Sequence, residues 1–213
     1  MEIEFGGHRV SLLYQKAILE RDTNTLIIAD LHLGKIEHFR SAGIGMPAKA
    51  GKHSFLTLIE LIRQISPDRV IFLGDLFHSV KNISFESFSC FLGDFLHVHF
   101  ILISGNHDIL SEADYRSLRM EVLEEYIIGN LWFTHEPSQH EKNDLFNIAG
   151  HLHPGVRLEG KARQSLRLPC FYLSKRSLVL PAFGYFTGYF IVKASSQSHI
   201  FAIADKDVFY VSF

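Results

Sequence analysis

The chain has 213 residues, of which 47% are hydrophobic and 21% are charged, and its formal net charge is −2 at pH 7. This composition is ordinary for a globular protein and does not by itself favour a nucleic-acid partner. The two cysteines, Cys90 and Cys170, have neither pairing nor zinc-ligand spacing, which argues against a disulfide scaffold and is compatible with a reducing compartment.

The N-terminus, MEIEFGG, carries neither the basic region nor the apolar run of a signal peptide. The most hydrophobic stretch, residues 83–103, is interrupted by four polar or charged side chains, so it is not a membrane span. No repeat or low-complexity linker divides the chain. We therefore predict one cytoplasmic domain over residues 1–213.

The first two thirds of the chain alternate between apolar runs that predict buried strands and segments with helical spacing. The predicted strands and helices, in chain order, are strand 26–30, helix 48–65, strand 69–74, helix 84–96, strand 99–104, a polar and partly helical stretch at 111–126, strand 130–134 and strand 146–149.

From residue 155 onward, short Val, Tyr and Phe segments alternate with Gly, Pro and Ser turns. Strands are predicted at 166–173, 177–180, 188–193, 199–204 and 207–212. The order of elements favours an α/β core whose second half adds antiparallel strands.

Ligand-capable side chains follow five successive strands. The motifs are Asp30-Leu31-His32, LGDLFHS with Asp75 and His78, SGNHD with Asn106, His107 and Asp108, FTHEP with His135, and AGHLHP with His151 and His153. Each motif alone has an ordinary explanation, such as a helix cap, a surface histidine or a core histidine. Because sites in open α/β sheets form beyond the carboxyl ends of strands, all five together indicate a functional site.

The donor types suit two divalent metal ions. Seven oxygen and imidazole ligands are available: Asp30, His32, Asp75, Asn106, His135, His151 and His153. Mixed oxygen and nitrogen donors without thiolate favour manganese, with iron or zinc as alternatives. A carboxylate that bridges both ions would hold them roughly 3.5–4 Å apart, and Asp75 is the candidate for that bridge.

In this order, Asp-x-His, Gly-Asp-x-x-His, Gly-Asn-His-Asp, a lone His and Gly-His-x-His resemble the motifs of the calcineurin-like metallophosphoesterase superfamily over residues 25–155. The resemblance implies a four-layer α-β-β-α sandwich of two mixed sheets flanked by helices, with metal-ligand loops over 30–153 and a strand-rich part over 155–213.

The same resemblance implies a role for each motif residue. One metal takes Asp30, His32 and His153, the other takes Asn106, His135 and His151, and Asp75 bridges them. His107 faces the substrate and serves the leaving oxygen as an acid or stabilises its charge. His78 positions a phosphodiester, which is typical of the nuclease branches, and Asp108 orients a neighbouring ligand.

The extended first motif, ADLHLGKIEHFRSAGIGMP, is similar to that of the bacterial ligase-associated DNA damage response endonucleases. This resemblance implies hydrolysis of DNA, single-stranded or damaged, in repair, alongside an ATP-dependent DNA ligase and a helicase. Residues 157–176 contain six basic side chains against one acidic one, so Arg163 and Arg167, together with Lys35 and Arg40 after the first motif, are candidate phosphate contacts.

Two other functions stay open from the sequence. One is a phosphodiesterase acting on small or cyclic nucleotides, which requires an enclosed pocket. The other is a non-catalytic metal-binding scaffold, which is expected to have lost ligands or the catalytic histidine, and this chain keeps both. The basic stretch is also compatible with a plain solvated face.

Overall fold

The structure is a computed structural model that describes residues 1–36, 39, 48–77, 83–108, 110–138, 142, 144–161, 164–185 and 187–212, with backbone alone at 48–52, 83 and 112. Three predicted site residues, Arg40, His78 and Arg163, lie outside the described residues. Among the helices that the structure describes, none is long and apolar enough to cross a membrane.

The first sheet has seven strands in sequence order: β1 (Glu2–Phe5), β2 (His8–Leu13), β3 (Ala17–Glu20), β4 (Thr25–Ala29), β5 (Arg69–Leu73), β6 (His99–Ile103) and β7 (Glu121–Leu123). Strands β1 to β4 form an antiparallel meander, whereas β4 to β7 are parallel. Ala29, Leu73 and Ile103 are register partners, so β4, β5 and β6 end at one common edge.

Within the part of the chain that the structure describes, the named helices that cover the outer face of this sheet are α1 (Ala48–Ile65), α2 (Ile83–Gly93) and α3 (Glu112–Ser117). Helix α1 buries Leu58, Leu61 and Ile62, whose spacing places them on one side of the helix. They join Phe72 of β5 and Phe88 of α2 in one apolar cluster. This burial holds α1 and α2, which connect β4 to β5 and β5 to β6, against the sheet. The three strands therefore run in the same direction and end at the same edge.

The second sheet has nine strands: β8 (Tyr126–Ile128), β9 (Leu131–Phe133), β10 (Phe146–Ala149), β11 (Pro154–Glu159), β12 (Ser165–Ser174), β13 (Ser177–Val179), β14 (Phe190–Ile191), β15 (His199–Ala204) and β16 (Asp207–Val211). The order is β14-β11-β12-β13-β10-β9-β8, and β15 pairs with both β12 and β16. Parallel and antiparallel pairs are mixed in it.

The two sheets pack face to face over a shared core. Ile27 and Ile71 of the first sheet lie in the same apolar cluster as Phe133, Ile148 and Phe171 of the second. The predicted architecture of two mixed sheets with flanking helices is confirmed. The three named helices contribute to the cluster on the first sheet, while the second sheet carries a smaller apolar cluster built around Val156, Cys170, Ile200 and Ala202.

Most predicted elements correspond to observed ones, and the predicted bounds of α1 are those observed. The prediction missed β1, β2, β3, β8 and β11, and it read β7 as part of a polar, partly helical stretch. The three N-terminal strands form the antiparallel half of the first sheet.

Candidate metal centre

Strands of both sheets deliver polar side chains to one edge. Asp30 follows β4, Asp75 follows β5, and His135 follows β9. Backbone hydrogen bonds tie these loops together, because His32 N donates to Asp75 O at 2.9 Å and Gly150 N donates to His135 O at 2.9 Å. The loops that follow the strands therefore converge as one unit, as the strand-end motifs predict.

Asp30, His32 and His153 form a first cluster, in which one ligand atom from each residue lies within 4.8 Å of the others. Asp30 Oδ1 and His153 Nε2 face each other at 3.5 Å, and both atoms are buried without a hydrogen-bond partner among the described residues. Leaving such groups unpaired is costly, and a cation bound between them would satisfy both. These residues fit a metal ion.

Asp30, Asp75 and His135 form a second cluster of the same size, which shares Asp30 with the first. The two carboxylates are 1% and 3% exposed. Two buried carboxylates so close together repel each other, and a divalent cation between them removes that repulsion. Asp30 is the residue that the two clusters share, whereas Asp75 belongs to the second cluster, so its bridging role stays a prediction.

The ring of His135 has a defined orientation. Its Nδ1 lies 2.9 Å from the carbonyl oxygen of Leu73 and donates to it, so Nε2 carries the lone pair. That Nε2 faces Asp75 Oδ1 at 3.7 Å and His151 Nδ1 at 3.1 Å. A backbone carbonyl that fixes the tautomer of a histidine is a common arrangement around metal ligands.

Glu136 joins the remaining two predicted ligands, and the sequence analysis missed it. Asn106 Nδ2 donates to Glu136 Oε1 at 3.1 Å, and His151 Nε2 lies 3.8 Å from the same oxygen. The position of Glu136 directly after His135 was the available signal. All seven predicted metal ligands are thus brought to one edge, with Glu136 beside them.

Backbone strain is concentrated at these residues. Five of them are non-glycine residues with positive φ: Asp30 (53°), His32 (50°), Asp75 (49°), His151 (65°) and His153 (48°). Such conformations cost of order 1–3 kcal/mol each and persist where function requires the geometry. Gly74, at φ 74°, leaves room for the ring of His135, since a Cβ at this position would lie 2.1 Å from His135 Nδ1.

Asp108 holds the backbone around Asp75. Its carboxylate accepts hydrogen bonds from the backbone N–H groups of Asp75 at 2.8 Å, Leu76 at 2.9 Å and Gly105 at 2.9 Å. Burial raises the pKa of this carboxyl, while the backbone donors act in the opposite direction. The structure places Asp108 behind the metal cluster, in contact with its backbone.

His107 and Lys35 lie on the solvent side of the centre. His107 N donates to Asp75 Oδ1 at 2.9 Å, and its exposed ring is 6.1 Å from that of His32, centroid to centroid. Burial lowers the pKa of Lys35, and the charges of Asp75 and Asp30 act against that shift. Both residues therefore lie next to the carboxylates of the candidate metal clusters.

The family profile of the calcineurin-like phosphoesterases matches residues 23–176. The chain belongs to this family. Members of the calcineurin-like phosphoesterase family use divalent metal ions, and the two clusters above are the corresponding candidate sites in this chain.

Among solved structures, the nuclease MPE of Pseudomonas putida matches with a TM-score of 0.81 and 27% sequence identity over 99% of both chains. This likeness is consistent with the DNA damage response endonuclease branch of the calcineurin-like phosphoesterases. The phosphoesterase YfcE of E. coli matches with a TM-score of 0.45 and 14% identity over 85% of this chain and 88% of that one. No curated protein matches the sequence.

The structure divides the basic stretch at 157–176 into two parts. Arg157 and Arg167 are register partners on the β11–β12 hairpin, which begins directly after His153. Lys175 and Arg176 lie at the opposite end of the sheet, where Arg176 O accepts from Asn147 N at the start of β10. The stretch therefore does not form one continuous basic face beside the candidate metal centre.

Replacing Asp108 with asparagine is expected to destabilise the metal-free protein by about 1–3 kcal/mol. Both carboxylate oxygens of Asp108 accept hydrogen bonds from backbone N–H groups, and the side-chain NH2 of asparagine would leave one of those N–H groups without an acceptor. Urea unfolding measures this. Asp144→Asn is the control, since Asp144 is exposed at the far end of the second sheet. Equal unfolding midpoints for the Asp108 variant and wild type would contradict the backbone-holding role.

Proposed function

We propose that this phosphoesterase is a two-metal nuclease that hydrolyses DNA phosphodiester bonds. The observation that carries the proposal is the grouping of five predicted ligands in two clusters that share Asp30, where Asp30 Oδ1 and His153 Nε2 are buried without a hydrogen-bond partner among the described residues. The likeness to a nuclease over the whole chain supports the choice of substrate.

One ion would be held by Asp30, His32 and His153, the other by Asn106, His135 and His151, with Asp75 between them. Two such ions, manganese by preference, supply a water of lowered pKa and neutralise charge on the phosphoryl oxygens. The chain itself contributes a rigid ligand frame, held by Asp108, and a histidine beside it.

His107 would give a proton to the leaving oxygen. Its backbone N–H is fixed on Asp75, which holds the residue next to the metal cluster, while the exposed ring is open to substrate. The ammonium of Lys35 would bind a phosphate oxygen at the same edge. His78, Arg40 and Arg163 stay predictions from the family resemblance.

The β11–β12 hairpin would contact the DNA backbone. Arg157 and Arg167 occupy facing positions, and like charges that face each other across a strand pair are unfavourable unless an anion lies between them. Arg167 has no ion-pair partner within the described part of the chain. Leu152 and Phe190 are exposed beside His153, and unpaired bases can stack on or pack against such side chains.

The test is an assay of the manganese-loaded protein on single-stranded, nicked and flapped DNA, with a chromogenic phosphodiester in parallel. We expect cleavage of DNA that chelators abolish. Hydrolysis of the small diester without any cleavage of DNA would favour the small-nucleotide phosphodiesterase instead. A function in repair with a ligase and a helicase, in the cytoplasm, is the further expectation of the family resemblance.

Reversing the charge of Arg157 and Arg167 to glutamate is expected to weaken DNA binding and flatten its salt dependence. Each lost phosphate contact lowers the log–log salt slope by about 0.7 on single strands. Lys175→Glu at the far end of the sheet is the matched control and is expected to leave the slope unchanged. Equal slopes for all three proteins would place the DNA elsewhere.

A further inference from the structure

A cleft of about 530 Å³ lies beside the candidate metal centre, and none of the residues given a functional role above lines it. Its walls come from the β2–β3 turn, helix α1, strand β12, the 183–185 segment and the β15–β16 turn. Lining residues include Lys16, His53, Ser54, Pro169, Tyr185 and Lys206. Its volume is in the range of small-ligand sites.

The register of the strands places this cleft at the metal edge. Ala17 of β3 is the partner of Ile28, so the turn that carries Lys16 lies level with the end of β4, next to Asp30. Gly184 N donates to the carbonyl of Asp30 at 3.1 Å, and Tyr185 N donates to Ser54 Oγ at 2.9 Å. The segment that forms this wall is therefore hydrogen-bonded to the backbone of a predicted metal ligand.

The second sheet closes the cleft from the other side. Pro169 lines it and is the register partner of Gly155, two residues after His153. Phe171, two positions further along β12, lies in the core between the sheets, whereas Arg167 lies two positions in the other direction. Because alternate residues of a strand share a face, Arg167 lies on the same face of β12 as Pro169, outside the residues that line the cleft.

The cleft combines a cation with an aromatic surface. Lys16 Nζ lies 6.0 Å from the ring centroid of Tyr185, and the ring of His53 meets the same tyrosine edge-on at 5.2 Å. Tyr185 is 51% exposed. Burial lowers the pKa of Lys16. Glu60 and Asp205 also line the cleft, yet no carboxylate of the described residues lies within 4 Å of the Lys16 ammonium.

We infer that this cleft binds the nucleotide next to the scissile phosphate, with the base against Tyr185 and a backbone phosphate on Lys16. The inference rests on the proposed nuclease function. A partly desolvated ammonium without an acidic partner suits a phosphate, and an exposed tyrosine ring suits a base of any sequence. A free mononucleotide offers the same two groups, and the test distinguishes it from a strand.

The test measures binding of a labelled ten-nucleotide oligothymidylate to the metal-free protein, in which no cleavage takes place. Tyr185→Ala is expected to weaken binding about 5- to 150-fold, the range for loss of one base–aromatic stack, and Tyr185→Phe to retain it. Lys16→Gln is expected to weaken binding and Lys16→Arg to retain it. The matched controls are Tyr210→Ala, at a tyrosine that is 50% exposed outside the cleft, and Lys175→Gln.

Each result decides the matter. If both Tyr185→Ala and Lys16→Gln bind the oligonucleotide as tightly as wild type, and the wild-type protein cleaves DNA, the cleft assignment is overturned and the nuclease proposal stands. Binding that both substitutions weaken, without cleavage after manganese is added, would overturn the nuclease proposal and leave the cleft as a strand-binding site only. Binding of thymidine monophosphate as tight as that of the oligonucleotide would overturn the assignment to a strand. If Tyr185→Ala does not fold, the comparison of Lys16→Gln with Lys16→Arg tests the cleft assignment instead.

Discussion

Asp75→Asn is expected to reduce DNA cleavage by about 10³-fold or more and to lower the amount of metal bound. Asp75 lies in one cluster with Asp30 and His135, and the proposed bridge would make its charge part of both sites, so we expect its loss to weaken both. Loss of several kcal/mol of transition-state stabilisation corresponds to such a factor. Cleavage rates and metal analysis of the purified variant measure the two effects.

The metal-free Asp75→Asn protein should unfold at a temperature no lower than wild type, because the substitution removes repulsion between two buried carboxylates. The side-chain oxygen of asparagine can still accept the hydrogen bond from His107 N. Asp144→Asn, an exposed carboxylate at the far end of the sheet, should alter neither activity nor metal content. Two ions bound at full occupancy by the Asp75 variant would count against the bridging role.

His107→Ala is expected to lower turnover on DNA by about 10²–10⁴-fold, the usual effect of removing a general acid. The metal content should stay near that of wild type, because His107 is linked to Asp75 through its backbone N–H, which alanine retains. Steady-state rates on DNA and metal analysis check both parts.

The choice of leaving group separates acid catalysis from positioning. A nitrophenolate leaves without a proton, so His107→Ala should lose less activity on a nitrophenyl diester than on DNA. His99→Ala is the control, since His99 is a half-exposed histidine at the opposite end of β6, paired with Glu121 at 3.0 Å. Equal losses on both substrates would show that His107 only positions the substrate.

The convergence of the candidate metal ligands could be predicted from sequence because the motifs that carry them follow buried strands. Parallel strands that end in register bring such residues to one edge, so local motifs such as those at Asp30 and Asp75 carry the long-range geometry. The helix at Ala48–Ile65 could also be predicted, since its apolar residues keep helical spacing over several turns.

Other features depend on contacts that the sequence does not display. The strand pair β1–β2 turns at Gly6 and Gly7, a glycine pair typical of a two-residue hairpin turn. The cleft at Lys16 and Tyr185 joins segments far apart in the chain, as does the pairing of Asn106 with Glu136. The division of the basic stretch follows from the length of β12, which carries Arg167 and Arg176 to opposite ends of the sheet.

Anomalous diffraction from crystals of the manganese-loaded protein would locate the metal ions directly. We expect two anomalous peaks per chain, roughly 3.5–4 Å apart. One peak should lie against Asp30, His32 and His153, the other against Asn106, His135 and His151, and the carboxylate of Asp75 should contact both. A single peak, or peaks away from these residues, would contradict the two-metal proposal.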